Sequence, residues 1–172
     1  MVLPLVLWAL NTATVNASPL PIAMKFVVRP TTLIRGHKKT FTVELTNTSK
    51  NPVTISTLFA FTWGLDWSHP DGSGEGTYSG GGYKTIIGTN YDPKTGEFTC
   101  KYLHYGKNDF VTLMPKSSKR FDIVISVPER CRASIANLDI SFESKYDGSE
   151  VDINASVGKL PPLKTRVHVS KN

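Results

Sequence analysis

Apolar and polar residues alternate over much of the chain. Phe41, Val43 and Leu45 are separated by polar residues, so they lie on one side of an extended segment. The same period of two recurs at residues 53–55, 121–127, 138–142 and 167–169. This period places successive side chains on opposite faces of a β-strand, and Val, Ile, Phe and Thr suit a pleated, half-buried surface. No stretch shows a helical period, so the pattern predicts an all-β fold.

Turn-forming residues separate these predicted strands. The sequence Asn-Thr-Ser-Lys-Asn-Pro at 47–52 joins two alternating stretches, and Pro115 with the Lys-Ser-Ser-Lys run at 116–119 joins another pair. Short alternating strands with turns between them are typical of a two-sheet, Ig-like β-sandwich. No repeat or linker divides the chain, so residues 18–172 are expected to form a single domain.

The first 17 residues carry no charge. Val2 to Leu10 form an apolar run, and small residues follow at Val15-Asn16-Ala17. The run is shorter than the roughly 20 residues that cross a bilayer. It indicates a secretory signal peptide over 1–17, cleaved after Ala17, although the usual positive n-region is missing. The alternative is a first buried β-strand. No other apolar run predicts stable membrane insertion, so an extracellular location is expected.

The cysteines and the sequons agree with secretion. Cys100 and Cys131 make an even count, which in a secreted chain predicts one disulfide. The alternative is two buried free thiols. Asn47-Thr48-Ser49 and Asn154-Ala155-Ser156 match the N-glycosylation sequon, so glycans are predicted on Asn47 and Asn154.

A glycine-rich segment extends from Gly64 to Gly96. It holds nine of the 13 glycines. Because 33 residues exceed the length of a hairpin loop, we interpret it as two loops that flank a short edge strand at Tyr83–Ile87. Its glycine spacing matches neither nucleotide-binding fingerprint, and no predicted helix follows it to bind a phosphate.

Aromatic residues are concentrated in and beside this segment. They are Trp63, Trp67, Tyr78, Tyr83 and Tyr91, interleaved with Gly, Asn and Asp. Aromatic faces beside short polar side chains are typical of surfaces that bind sugars or proteins. The alternative is structural: the tryptophans close one end of the core, and the tyrosines hold the loops.

No residue pattern predicts catalysis, a metal site or a cofactor. The four histidines, His37, His69, His104 and His168, lack metal-ligand spacing, and His168 is expected on the outer face of its strand. The acidic residues near Trp67 do not follow the EF-hand order, and no Gly-x-Ser-x-Gly elbow is present. Asp139, Ser141 and Glu143 share one strand face, which we interpret as a solvent face.

The net charge is +6. Basic residues cluster at 37–39, 116–120 and 130–132, but no recognition helix or aromatic RNA-binding pattern accompanies them, so nucleic acid is not an expected partner. For an extracellular protein such charge favours anionic polymers of the wall or cell surface.

Two stretches resemble a known architecture. "FTVELTNTSKNPVTI" at 41–55 and "VTLMPKSSKRFDIVISV" at 111–127 are similar to strands of the Ig-like sandwich in small secreted fungal proteins. They also resemble the non-catalytic N-terminal region of deuterolysin-type metallopeptidases. The peptidase's His-Glu-x-x-His motif is absent, so the resemblance implies an accessory sandwich and no catalytic residue.

The resulting prediction is a secreted, non-catalytic binding protein. It would act at the cell surface or host interface, effector-like, through contacts with an extracellular protein or polysaccharide. The alternative is a secreted protease inhibitor or pro-domain-like module that inserts residues 64–96 into a peptidase cleft. A third hypothesis is a hydrolase that uses Asp66 and Asp71. The sequence defines no oligomeric state.

Overall fold

The computed structural model describes residues 20–58, 60–68, 75–81, 89–91, 98–100, 107–146 and 152–171. Within these ranges the chain is all-β, as predicted, with one 3-10 turn at Lys107–Asp109. The strands are β1 (Ile22–Phe26), β2 (Thr32–Ile34), β3 (Lys38–Asn47), β4 (Val53–Ser56), β5 (Phe61–Ser68), β6 (Glu75–Gly81), β7 (Thr89–Tyr91), β8 (Phe98–Cys100), β9 (Phe110–Leu113), β10 (Ser118–Ser126), β11 (Ile135–Ser144), β12 (Gly158–Lys159) and β13 (Leu163–Ser170). In the described ranges no helix is long and apolar enough to cross a membrane.

Two main sheets organise the described strands. The smaller sheet has the order β1-β3-β10, and the larger sheet has the order β2-β13-β11-β5-β6, with β12 paired to β11. Two short pairs, β4-β9 and β7-β8, complete the described strands. The pairing of β13 with β2 is parallel, and the remaining described pairings are antiparallel. Strands distant in sequence, such as β5 and β11, are therefore neighbours.

The two main sheets share one hydrophobic core. Phe61 of β5 contacts Phe121 of β10 across the sheets, with ring centroids 5.2 Å apart, and it contacts Phe142 of β11 at 5.0 Å. The alternating apolar residues named from the sequence are buried: Phe41, Val43, Leu45, Val53, Ile55, Phe121, Ile123, Ile125, Val127, Leu138, Ile140, Phe142, Val167 and Val169. The predicted period of two, and the face that it places inward, are confirmed.

The first predicted turn is closed by the side chain of Asn47, which is 0% exposed. Its Nδ2 donates to the carbonyl oxygens of Asn51 at 2.7 Å and Leu113 at 2.9 Å. Its Oδ1 accepts from the backbone N and the Oγ of Ser49 at 2.9 and 2.7 Å. A glycan would be attached to this same Nδ2 and would replace one of its two N–H donors, so one of these two hydrogen bonds would be lost; glycosylation of Asn47 stays a prediction. Asn154 is exposed, and its glycan stays a prediction.

Cys131 is a free, buried thiol in the structure. The predicted disulfide to Cys100 is therefore not found. The backbone of Cys100 lies at the end of β8, and its side chain is outside the described residues. Cys131 packs into the core as a small apolar side chain. Burial raises the pKa of its thiol, against the opposing effects of the Ala133 backbone amide and the Arg35 guanidinium.

The glycine-rich segment is not a loop where it is described. Residues 64–68 end β5, and Glu75–Gly81 form β6, which pairs with β5 in antiparallel register. Trp67 is opposite Gly76 and Trp63 is opposite Gly80. A Cβ at position 76 would overlap Cζ2 and Cε2 of Trp67, and one at position 80 would lie 2.9 Å from Cζ2 of Trp63. These two glycines make room for the indole rings of the neighbouring strand.

Two expectations fall on undescribed positions. The strand predicted at Tyr83–Ile87 lies outside the described residues. The predicted signal peptide at 1–17 also lies outside them, and the described chain begins at Leu20.

Candidate functional site

The outer face of the larger sheet carries a group of charged and amide side chains from three neighbouring strands. Asn137 of β11 is opposite Asp66 of β5 on one side and Arg166 of β13 on the other. Two residues further along β11, Asp139 is opposite Lys164. We call these five residues the polar depression.

The surface is concave at these residues because one position has no side chain. Gly64 of β5 is opposite Asp139, and a Cβ at position 64 would lie 2.6 Å from Oδ1 of Asp139. The carboxylate of Asp139 therefore rests against the backbone of β5 and is half-buried. Any larger residue at 64 would force it outward.

Three adjoining hollows meet at Asp66 and Asn137. The first, of about 410 Å³, is lined by Asp66, Asn137, Asp139, Lys164 and Arg166, with Arg29 at its rim. The second, of about 490 Å³, extends over β6 to Thr77. The third, of about 440 Å³, extends towards Ser134 and Ile135. Their size is in the range of small-molecule sites, which span about 300–1,000 Å³.

The two carboxylates of the depression affect each other. Burial raises the pKa of Asp139, and the negative charge of Asp66 raises it further, while Lys164 opposes the shift. Ionisation of Asp139 is therefore less favourable in the folded protein than in the unfolded chain. An unfavourable charge in a hollow is common where the group meets a ligand.

Within the described part of the chain, the side chains of the five depression residues form no hydrogen bond and no ion pair with one another or with other residues. The outer face of the smaller sheet is different. There Thr42 donates to Asp122 at 2.7 Å, and Thr46 and Ser118 are hydrogen-bonded at 2.7 Å. Glu44 pairs with Lys25 at 2.8 Å and with Arg120 at 3.1 Å. These polar groups of the smaller sheet are therefore bonded to one another, whereas the five residues of the polar depression are not.

The predicted aromatic surface is not assembled in the described residues. Trp63 is 4% exposed and Trp67 is 8% exposed, because both rings point into the core. The tryptophans therefore lie where the structural alternative places them, in the core, although Trp67 also lines two of the three hollows. Tyr78 lies on β6 and Tyr91 on β7, with side chains outside the described residues, and Tyr83 lies outside them entirely.

Several depression residues were missed by the sequence analysis. The alternation of apolar and polar residues placed Asp139 on an outer strand face, and the structure agrees. Alternation could not show that β11 lies between β5 and β13, and this arrangement is what brings Asp66, Asn137 and Arg166 together. The sequence analysis considered Asp66 only as a loop acid, but it lies on a strand.

The histidines do not form a metal site in the described part of the chain. His37 and His168 are exposed, as expected for His168, and His69 and His104 lie outside the described residues. Among the described side chains no group of three His, Cys, Asp or Glu is placed to hold a metal ion.

Comparisons with known proteins identify no family. No family model and no curated protein matches the chain. Among solved structures, it is similar to AvmM, which catalyzes macrocyclization in alchivemycin A biosynthesis: 11% identity, 89% of this chain and 90% of that one, TM-score 0.49. It is also similar to Spo0M, a sporulation control protein from Bacillus subtilis: 10% identity, 87% of this chain and 49% of that one, TM-score 0.45. A third is the putative ApaA protein from Bordetella pertussis: 12% identity, 87% and 95% coverage, TM-score 0.41. Likeness at this level assigns no function.

Proposed function

We propose that the chain is a secreted, non-catalytic binding protein that acts at the cell surface or host interface. Its contact surface is the polar depression, and its ligand is a polysaccharide. We further propose that the two main sheets form an Ig-like sandwich, which holds the depression on rigid strands.

One observation carries this proposal: side chains of both charges surround a concave surface and have no partner within the described chain. Sugar hydroxyl groups both donate and accept hydrogen bonds. They can donate to Asp66, Asn137 and Asp139, and they can accept from Lys164 and Arg166. Such convergent polar groups provide orientation and specificity in ligand sites.

The character of the surface favours a polysaccharide over a protein partner. Stable protein interfaces are centred on aromatic or aliphatic anchors. The large apolar side chains that are exposed in the described residues, Val28, Ile34, Met114, Val124 and Val157, do not line the depression.

The test is a pull-down of the secreted protein with insoluble chitin, β-1,3-glucan and cellulose. Wild type is expected to be retained by one of them, and Asp66→Asn is expected to reduce retention at least fivefold. Asp122→Asn is the matched control, since it neutralises an exposed carboxylate on the other sheet. Equal retention of all three proteins, or of none by any polysaccharide, would overturn the proposal.

A hydrolase is the second candidate, and the structure supplies one specific observation in its favour. Asp66 and Asp139 are adjacent carboxylates with a raised pKa at Asp139, an arrangement that glycosidases use for acid–base catalysis. This pair replaces the predicted partner Asp71, which lies outside the described residues. Release of reducing ends by wild type, lost in Asp139→Asn, would establish hydrolysis and displace the non-catalytic proposal.

The peptidase-inhibitor alternative requires a separate test. Residues 75–81 form β6, so a deletion across 72–82 would remove a strand of the larger sheet. Deletion of 71–73 is limited to the connection between β5 and β6 and leaves three residues to join the two strands. Stoichiometric peptidase inhibition that disappears with this deletion, while the fold is retained, would support the inhibitor.

A further inference from the structure

Basic residues are concentrated at one end of the strands. Three segments meet there: residues 35–39, 129–132 and 168–171. They contain six Lys or Arg residues, which are Arg35, Lys38, Lys39, Arg130, Arg132 and Lys171. They contain one carboxylate, Glu129, so six positive charges minus one negative charge leave +5 of the total +6. We call these three segments the basic end.

Backbone hydrogen bonds hold these segments together. Gly36 N donates to the carbonyl oxygen of Val127 at 3.0 Å, and Val127 N donates to that of His37 at 3.1 Å. The register of β3 and β10 places Lys38 opposite Ser126. The basic cluster near residue 37 is therefore fixed beside the chain that leads into the basic cluster near residue 131.

Arg35 connects all three segments. Its Nη2 donates to the carbonyl oxygens of Arg132 at 2.9 Å and Ala133 at 3.0 Å. Its backbone N donates to the carbonyl oxygen of Ser170 at 3.2 Å, next to Lys171. The guanidinium is thus used for structure, and it fixes the loop that carries Arg130 and Arg132.

The other basic side chains are exposed, although the Nζ of Lys39 also donates to the carbonyl oxygen of Thr32 at 2.9 Å. Lys38, Lys39, Arg130, Arg132 and Lys171 are exposed, while Cys131 and Ala133 between and beside the arginines are buried. None of these five has an ion pair with a carboxylate in the described residues. By contrast, Lys25, Arg120, Lys145 and Lys159 are each paired with a glutamate.

We propose that the basic end binds a polyanionic polysaccharide, one that carries closely spaced carboxylate groups. The guanidinium groups of Arg130 and Arg132 can each donate two hydrogen bonds to a carboxylate, and the lysines add positive charge around them. The segments contain no Phe, Tyr or Trp, and their aromatic rings are the imidazoles of His37 and His168. The inference rests on the proposed function in that the ligand is taken to be extracellular, but it uses a surface separate from the polar depression.

The experiment titrates the full secreted chain with sodium polygalacturonate at 50 and 200 mM salt. The test variant is Arg130→Gln/Arg132→Gln. The control is Lys50→Gln/Lys119→Gln, which removes the same charge from exposed positions at the opposite end of β3 and β10. The test variant is expected to lose at least tenfold in affinity, and the control less than threefold. Counterion release predicts that the slope of log affinity against log salt falls by about 2 in the test variant.

Three results would overturn the proposal for the basic end. Equal losses in both variants would show a net-charge effect and overturn the basic end as a site. Wild-type affinity no higher than for neutral dextran would overturn it as well. Tighter binding of duplex DNA than of polygalacturonate at 200 mM salt would overturn the assignment to a polysaccharide. Asp66→Asn should bind polygalacturonate normally, so failure of the polar depression and failure of the basic end are distinguishable.

Discussion

Asn47 begins a sequon and also holds a turn by four hydrogen bonds. Sequence alone supports the first role, because Asn-Thr-Ser is a local pattern. The second role depends on Leu113, which is 66 residues away. A glycan on this nitrogen would leave it one N–H, so only one of the two carbonyl oxygens could keep its donor.

Asn47→Ala is therefore expected to destabilise the fold. Loss of the amide leaves the buried carbonyl oxygen of Leu113 without this donor, and an unsatisfied buried group costs about 1–3 kcal/mol. We expect urea denaturation to show a loss of about 3 kcal/mol when the Asn51 and Ser49 contacts are included. Asn154→Ala, in the exposed sequon, is the control and should change stability by less than about 0.5 kcal/mol. Equal effects would contradict the assigned role.

The raised pKa of Asp139 predicts that the stability of the fold changes with pH. Its pKa is raised in the folded state, so the folded protein holds the proton more tightly than the unfolded chain. Stability falls as pH rises from the unfolded value of 3.8 through the folded pKa, and the cost persists above it. Asp139→Asn should therefore raise the free energy of unfolding at pH 7 and give no gain below pH 3.8.

Glu44 is expected to show the opposite dependence of stability on pH. Hydrogen bonds from Lys25 and Arg120 lower the pKa of its carboxyl. Its contribution is present above the unfolded value of 4.5 and is lost as pH falls through the folded pKa. Glu44→Gln should thus reduce stability at pH 7. If thermal unfolding showed the two variants shifting in the same direction at pH 7, the contrast between the outer faces would be wrong.

At the level of strands, the β5–β6 hairpin explains the glycines that the sequence analysis assigned to loops. Gly76 and Gly80 have the same spacing along β6 as Trp63 and Trp67 along β5. Each glycine therefore lies opposite one indole ring. Gly76→Ala would place a methyl group against a rigid indole ring, and overpacking of this kind costs about 1–3 kcal/mol. Thr77→Ala on the exposed face of β6 is the control. Chemical denaturation followed by tryptophan fluorescence measures both, and equal stability of the two variants would contradict this packing.

The strands show how far the sequence predicts this fold. Stretches with a period of two, such as Phe121 to Val127, predicted both the strand and the face of it that is buried. They did so because successive side chains of a strand point to opposite faces, so burial of one face places apolar residues at every second position. The β6 strand was missed because glycine carries no pattern, and its glycines are explained only by the rings of the partner strand. The polar depression was missed for a similar reason: Asp66 and Asn137 are 71 residues apart and become neighbours only through the pairing of β5 with β11.

In the whole molecule, polar groups are distributed unevenly over the surface. On the smaller sheet Glu44 is paired with Lys25 and Arg120, the larger sheet carries the polar depression, and three basic segments meet at one end of the strands. The two ligand surfaces that we propose lie on one all-β scaffold, and together they are the basis of the proposal that the protein attaches to an extracellular polymer.

The most direct test of the central claim is calorimetric titration of the retained polysaccharide's hexasaccharide into wild type, Asn137→Ala and Asn108→Ala. Asn137 is at the centre of the depression, where all three hollows meet, and Asn108 lies in the 3-10 turn away from it. The account predicts at least a fivefold loss of affinity in Asn137→Ala, since a lost ligand hydrogen bond with an unsatisfied partner costs about 1–3 kcal/mol, and no loss in Asn108→Ala. Unchanged affinity in Asn137→Ala would contradict it.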